Sequence, residues 1–187
     1  YEMAANLRAG VFPVRWMPDA AYGLGYPFFN HYSALPYYLA AGFHVLGLDL
    51  LTAIKLTQTL GFVLAALAMY GWVRHLWHRR MAAWVAAVAY TVAPFHMVNV
   101  YVRGDSLSEF YAFIFYPLIL WALGRAVRNG EERRRTLVLD VAAVALAYGG
   151  LVLSHNISAF IFSPFAALYL GLLVWRARAG RPVPEPR

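Results

Sequence analysis

The chain has 187 residues, of which 61% are apolar and only 13% charged, with a mean hydropathy of +0.53. A soluble domain of this length needs far more surface charge, so composition excludes one. The net charge of +7 does not call for a nucleic-acid partner, because 12 of the 16 basic residues fall in three short connections between apolar runs.

Residues 1–31 come first and are unlike the rest. Pro13, Pro18 and Pro27 alternate with Gly10, Gly23 and Gly25 and with Phe12, Trp16, Tyr22, Tyr26, Phe28 and Phe29. Prolines and glycines at this density interrupt a membrane helix, and so many aromatic rings do not suit a disordered tail. The segment reads as an ordered outer loop, the kind of element on which sites are built. Asp19 lies within it and reads as turn chemistry. Residues 32–48 are apolar but short, with Pro36 near the start and His44 near the end, and read as an interfacial helix.

A bundle of five crossings is expected over residues 52–175, since about 20 helical residues span a hydrocarbon core of roughly 30 Å. They are Thr52 to Val73, Met81 to Val98, Leu107 to Leu123, Thr136 to Leu153 and Ile157 to Trp175. The fold class is thus an all-α membrane protein, read as a single membrane domain. Arginines concentrate in 74–80, 124–135 and 176–187, which places those segments inside and residues 1–31 outside under the positive-inside rule. His75 and His78 then read as inner headgroup contacts, and His44 and His96, near helix ends, as interfacial. The chain starts in polar sequence without Met and ends in a loose Arg-Pro tail, so it reads as a fragment of a longer protein.

The residues able to do chemistry gather at the outer turns. Glu109 is two residues into the third apolar run, a costly place for an acid without a cavity or a partner. Arg103 and Lys55 are both candidate partners, and Asp105 stands in the same turn. Either this is a structural ion pair closing the outer mouth, or it is an acid with a cation that holds a phosphate. His155 and Asn156 form the next outer turn; they either cap the helix that follows, with Asn156 the natural cap, or contribute a ligand. Asp140, near the inner end, reads as paired with an arginine of 133–135. No cysteine is present for thiolate sites, and no catalytic triad or zinc motif has the required spacing.

Three stretches carry a resemblance: LRAGVFPVRWMPDAAYGLGYPFFNHYSALPYYL, RGDSLSEFYAFIFYPLIL and LSHNISAFIFSPFAALYL. They resemble a bacterial family of multispanning proteins called 6-pyruvoyl-tetrahydropterin-synthase-related, itself similar to the glycosyltransferase C superfamily. Arg15-Trp16, Pro18, the 23–27 turn and the 32–38 stretch recur in order. The pterin enzyme of that label is a soluble metal-dependent fold, and nothing in this sequence supports its activity. The resemblance implies an integral protein of the bacterial cytoplasmic membrane that transfers a sugar from a polyprenyl-phosphate donor at the outer face. The superfamily's catalytic acid would lie upstream of residue 1, so the fragment alone is expected to be inactive. Within this chain Glu109, then Asp105, would be the site acid. Arg103, Lys55, His155, Asn156, Arg15 and Trp16 would contact substrate or phosphate. A divalent cation would suit such a donor, but no ligand set identifies one, and the cofactor stays unknown. The partners implied are membrane lipid and the lipid-linked sugar donor. A transporter or flippase-like protein and a noncatalytic membrane scaffold remain the alternatives.

Overall fold

A computed structural model of the chain describes residues 1–103, 106–129 and 134–180. Asp105 lies outside the described residues. In order, the helices are α1 (Glu2–Arg8), α2 (Phe28–His31), α3 (Leu35–Val45), α4 (Leu50–Trp77), α5 (Arg80–Thr91), α6 (Pro94–Tyr101), α7 (Leu107–Asn129), α8 (Arg134–Ser154) and α9 (Asn156–Arg178). No strand forms among the described residues; Met17 and Tyr26 make an isolated antiparallel bridge. Five stretches are long and apolar enough to cross a membrane: Leu50–Trp77, Arg80–Tyr101, Leu107–Arg128, Thr136–Ser154 and Asn156–Arg178. The all-α membrane class expected from the apolar runs is the class observed.

Helix α7 is the hub of the bundle and touches α3, α4, α6, α8 and α9. Its neighbours meet it with small residues. Ala53, Thr57, Gly61, Ala65 and Ala68 form a buried stripe along α4 at helical spacing. Such a stripe lets helices approach closely where lipid supplies no hydrophobic driving force. Phe110, Trp121 and Phe115 of α7 lie against Gly61, Gly71 and Gly150, and a Cβ built on any of the three would fall 2.2–2.5 Å from the ring. Large rings on one helix thus key into glycine gaps on the next.

Pro117 interrupts α7. It has no N–H to offer the Phe113 carbonyl four residues earlier. The Tyr90 hydroxyl of α5 donates to that carbonyl at 2.8 Å instead, so an interhelical bond replaces the lost one. The second crossing, expected to run unbroken from Met81 to Val98, is in fact two helices. Pro94 forces Ala93 into an extended backbone (ψ 135°), which ends α5 and starts α6 afresh.

That break relocates His96. Read as interfacial, it is instead wholly buried, with its ring 4.6 Å from Phe113 and 4.7 Å from Phe110 in stacked contact. His75 also departs from its expected place as a headgroup contact: it is 8% exposed and enclosed by neighbouring helices.

Residues 1–31 fold as an ordered cover. Met3, Ala4 and Val14 pack on Ala41 of α3 with Leu7, Phe29, Tyr37 and Tyr38 around them. The Tyr38 hydroxyl accepts from the Val14 N–H at 2.7 Å. The short α1 was not anticipated from sequence. Asp19 forms the expected turn, its carbonyl accepting from the Gly23 N–H at 3.3 Å. Helix α3, too short to span, lies between this cover and the bundle, touching α4, α7 and α8.

Candidate functional site

The turn between α6 and α7 brings Arg103 and Glu109 together. Asn99 and Arg103 are four residues apart on one face of α6 and its final turn. One Arg103 Nη1 donates both to Asn99 Oδ1, at 3.0 Å, and to Glu109 Oε2, at 2.5 Å. Ser106 precedes α7 and reaches the same carboxylate at 3.5 Å through its hydroxyl, an S-x-x-E spacing that suits a helix start. Glu109 also stands in the first turn of α7, where the helix dipole favours a negative charge. Its side chain is 18% exposed and that of Arg103 50%, so the acid is sheltered while its cation faces out. The sequence left Arg103 and Lys55 as rival partners for Glu109; the pairing is with Arg103. Lys55 is exposed on the second turn of α4 and has no described side-chain partner.

His155 closes the next turn at this end of the bundle. It, not Asn156, is the N-cap of α9, a correction to the sequence reading. Its Nδ1 accepts from the Ser158 N–H at 3.2 Å and lies 2.7 Å from the Ser158 hydroxyl. Burial moves the His155 pKa down from 6.5, the Glu109 carboxylate opposes this, and Arg103 adds to it. The neutral ring is also what the cap requires, because a protonated Nδ1 cannot accept. As the pH falls below the ordinary value of 6.5, the unfolded chain takes up this proton more readily, and stability from the cap declines. Asn156 begins the helix, its own Oδ1 accepting from the Ile157 N–H at 2.9 Å.

Ser33 ties the cover to this site. Its hydroxyl donates to the Val152 carbonyl (3.1 Å) and accepts from the Asn156 N–H (3.2 Å), while its carbonyl accepts from Ser108 (3.2 Å). One residue thus fixes the start of α7, the end of α8 and the start of α9. Deeper in the bundle, the Tyr116 ring of α7 packs against Phe162 of α9 at 4.8 Å. Two buried polar atoms, Asn99 Nδ2 and Ser154 Oγ, have no hydrogen-bond partner among the described residues.

The candidates therefore fall into two groups. Arg103, Glu109 and His155 share one electrostatic environment, with Asn156 beside them. Arg15 and Trp16 belong to the cover: Trp16 lies over Gly25, where a Cβ would stand 2.2 Å from the ring, and no described contact joins them to the ion pair. Asn99, Ser33 and Ser158 were not singled out in the sequence. The i, i+4 spacing of Asn99 to Arg103 and the three-residue step from His155 to Ser158 are the signals that could have found two of them. At the opposite end Asp140, 1% exposed, pairs with Arg125 of α7 at 2.7 Å; the side chains of 133–135 lie outside the described part. Among the described residues no group of three or more His, Asp or Glu could hold a metal ion.

The description "6-pyruvoyl-tetrahydropterin synthase related domain; membrane protein" matches residues 29–185. The chain belongs to this family of membrane proteins. The match takes in α3 to α9, all of α2 but Phe28, and every residue of the ion-pair site, while most of the N-terminal cover precedes it. No curated protein and no solved structure matches.

Proposed function

We propose that this end of the bundle binds a polyprenyl-phosphate-linked sugar and supports glycosyl transfer at the outer face of a bacterial cytoplasmic membrane. The observation that carries the reading is the half-exposed Arg103 paired with the sheltered Glu109, with unsatisfied donors close by. In the free protein Arg103 holds the carboxylate. A donor phosphate would compete for the guanidinium, which suits phosphate geometry. Glu109, released from Arg103, would then serve as general base toward an acceptor hydroxyl, while Arg103 stabilises the departing lipid phosphate. His155, fixed with Nδ1 inward, would offer Nε2–H as a further donor.

The test uses membranes containing the gene product that carries this sequence, supplied with a radiolabelled polyprenyl-phosphate sugar. Donor-dependent appearance of label in a water-soluble or lipid-linked acceptor is expected. Donor that stays intact with every acceptor tried would count against the reading. The orientation is tested separately, as the chain has no native Cys. A cysteine at exposed Ala21 should react with an impermeant thiol reagent from outside the cell, and one at exposed Arg79 only after lysis. The reverse pattern would place the site on the cytoplasmic side.

One observation favours a second reading, transport of a polar or lipid-linked substrate. The second crossing is interrupted at Val92-Ala93 and buries His96, and broken helices with buried ionisable groups are features of transporters. Movement of intact donor across the membrane without consumption would support transport instead.

A further inference from the structure

Helices α7 and α8 meet tightly at one level and part at another. Phe115 of α7 fills the gap left by Gly150 of α8, which closes the pair there. Toward the arginine-rich end the facing positions are Ala122 of α7 with Ala143 and Ala147 of α8, whose methyl side chains leave the space between the helices unfilled. A groove of about 420 Å³ results. Phe115, Leu118, Trp121 and Arg125 line it along α7, spaced three or four residues apart and therefore on one face. From Phe115 to Arg125 the helix rises about 15 Å, half the depth of a roughly 30 Å hydrocarbon core and so the depth of one leaflet. On the α8 side Ala143 is exposed and Leu146 is 77% exposed, so the groove opens sideways rather than into the bundle. Val138, Leu139 and Val141 are exposed on the same helix, which marks α8 as a lipid-facing wall.

The polar end of the groove is an ion pair. Asp140, with a side chain 1% exposed, accepts from Arg125 Nη2 at 2.7 Å, and a carboxylate within a membrane span is costly without such a cation. The Arg125 side chain is 42% exposed and its guanidinium carries further N–H donors, so an approaching group meets the cation before the acid. Arg128, three residues on along α7, is a second cation, its Nη1 3.4 Å from His75 Nδ1. With Asp140 counted, Arg125 and Arg128 leave this mouth net positive.

From this arrangement we propose that the α7–α8 groove holds an anionic phospholipid, with one acyl chain between the helices and the headgroup phosphate on Arg125. Hydrocarbon alone does not single out the site, because a chain in the groove and a chain in the bilayer have equally apolar surroundings. Selectivity comes from the cation, since a guanidinium matches a phosphate in both geometry and charge. Phosphatidylglycerol presents that phosphate with its charge uncompensated, whereas phosphatidylcholine carries its own ammonium beside it. Asp140 keeps the guanidinium at the end of the groove, where the headgroup arrives. The site does not depend on the glycosyl-transfer reading of the other end.

The test incubates the full gene product, purified in detergent, with equal amounts of phosphatidylglycerol and phosphatidylcholine of matched chains. Native mass spectrometry then counts the lipid retained. The native protein should retain phosphatidylglycerol over phosphatidylcholine about fivefold, the worth of one arginine near an anionic headgroup. Arg125→Gln combined with Asp140→Asn removes both charges at once, so that neither is left buried alone, and should bring the two lipids to parity. Ala143→Phe adds bulk at an exposed position on the rim and should lose retained lipid of both kinds, with helix content unchanged by circular dichroism. Equal retention of the two lipids by the native protein, or a preference that survives undiminished in either variant, would overturn the proposal. A lipid-free dimer would overturn it too, by showing that a second copy closes the groove.

Discussion

Replacing Glu109 with Gln is expected to lower sugar transfer by about 10²- to 10⁴-fold, the usual contribution of a general base. Gln keeps the size of the side chain and an oxygen that can accept from Arg103, so the α6–α7 turn should survive. What disappears is the charge and the capacity to take a proton. The fall should be in kcat, because the phosphate contact assigned to Arg103 is untouched. Equal rates for Glu109→Gln and the native protein, with the protein folded, would leave Glu109 as the structural clasp of the turn and nothing more. Its place in the first turn of α7, paired with Arg103 and reached by Ser106, already gives it that structural role.

A second large effect concerns stability, and two adjacent glycines of α8 separate its causes. A Cβ on Gly150 would fall 2.2 Å from Cε1 and 2.6 Å from Cζ of Phe115, whereas Gly149 has nothing within 4 Å. Alanine favours a helix over glycine by about 0.5–1 kcal/mol at either position. Gly149→Ala should therefore be neutral or slightly stabilising. Gly150→Ala must push α8 away from α7, and overpacking of this kind costs about 1–3 kcal/mol. Thermal unfolding in detergent, followed by helical circular dichroism, should show a lower midpoint only for Gly150→Ala. Matching midpoints for the two variants would mean that the ring-in-gap packing does not hold these helices together.

The crossings were legible because apolar length is a property of the chain read in one dimension. Nothing tertiary is needed to see that Leu107 onward or Asn156 onward can span a membrane. The interruption at Pro94 was not legible for the same reason: membrane helices tolerate proline, so Pro94 inside an apolar run signals a break no more strongly than Pro117 or Pro164. Whether a helix stays continuous depends on what accepts and donates nearby, as the Tyr90 bond to Phe113 illustrates. The burial of His96 and His75 follows from rings and small residues on facing helices, and sequence position alone places both near helix ends.

The site was legible in part. Arg103 and Glu109 are close in sequence, so their pairing could be anticipated, although Lys55 competed for it. His155 was visible as a turn residue, but average preference favours Asn at a cap, and here the three-residue step to Ser158 lets the imidazole take that place. Ser33 carries no sequence signal, for its three partners lie on α7, α8 and α9, more than 70 residues away.

The most direct measurement is the dissociation constant of a sugar-free polyprenyl phosphate for the gene product in lipid nanodiscs, compared with Arg103→Gln and Glu109→Gln. If Arg103 passes from the carboxylate to the ligand phosphate, Arg103→Gln should weaken binding about ten- to hundredfold. Glu109→Gln should leave it equal or tighter, since the competing charge is gone. Unchanged affinity in Arg103→Gln, or a loss in Glu109→Gln as large as that expected for Arg103→Gln, would contradict a phosphate held by this ion pair.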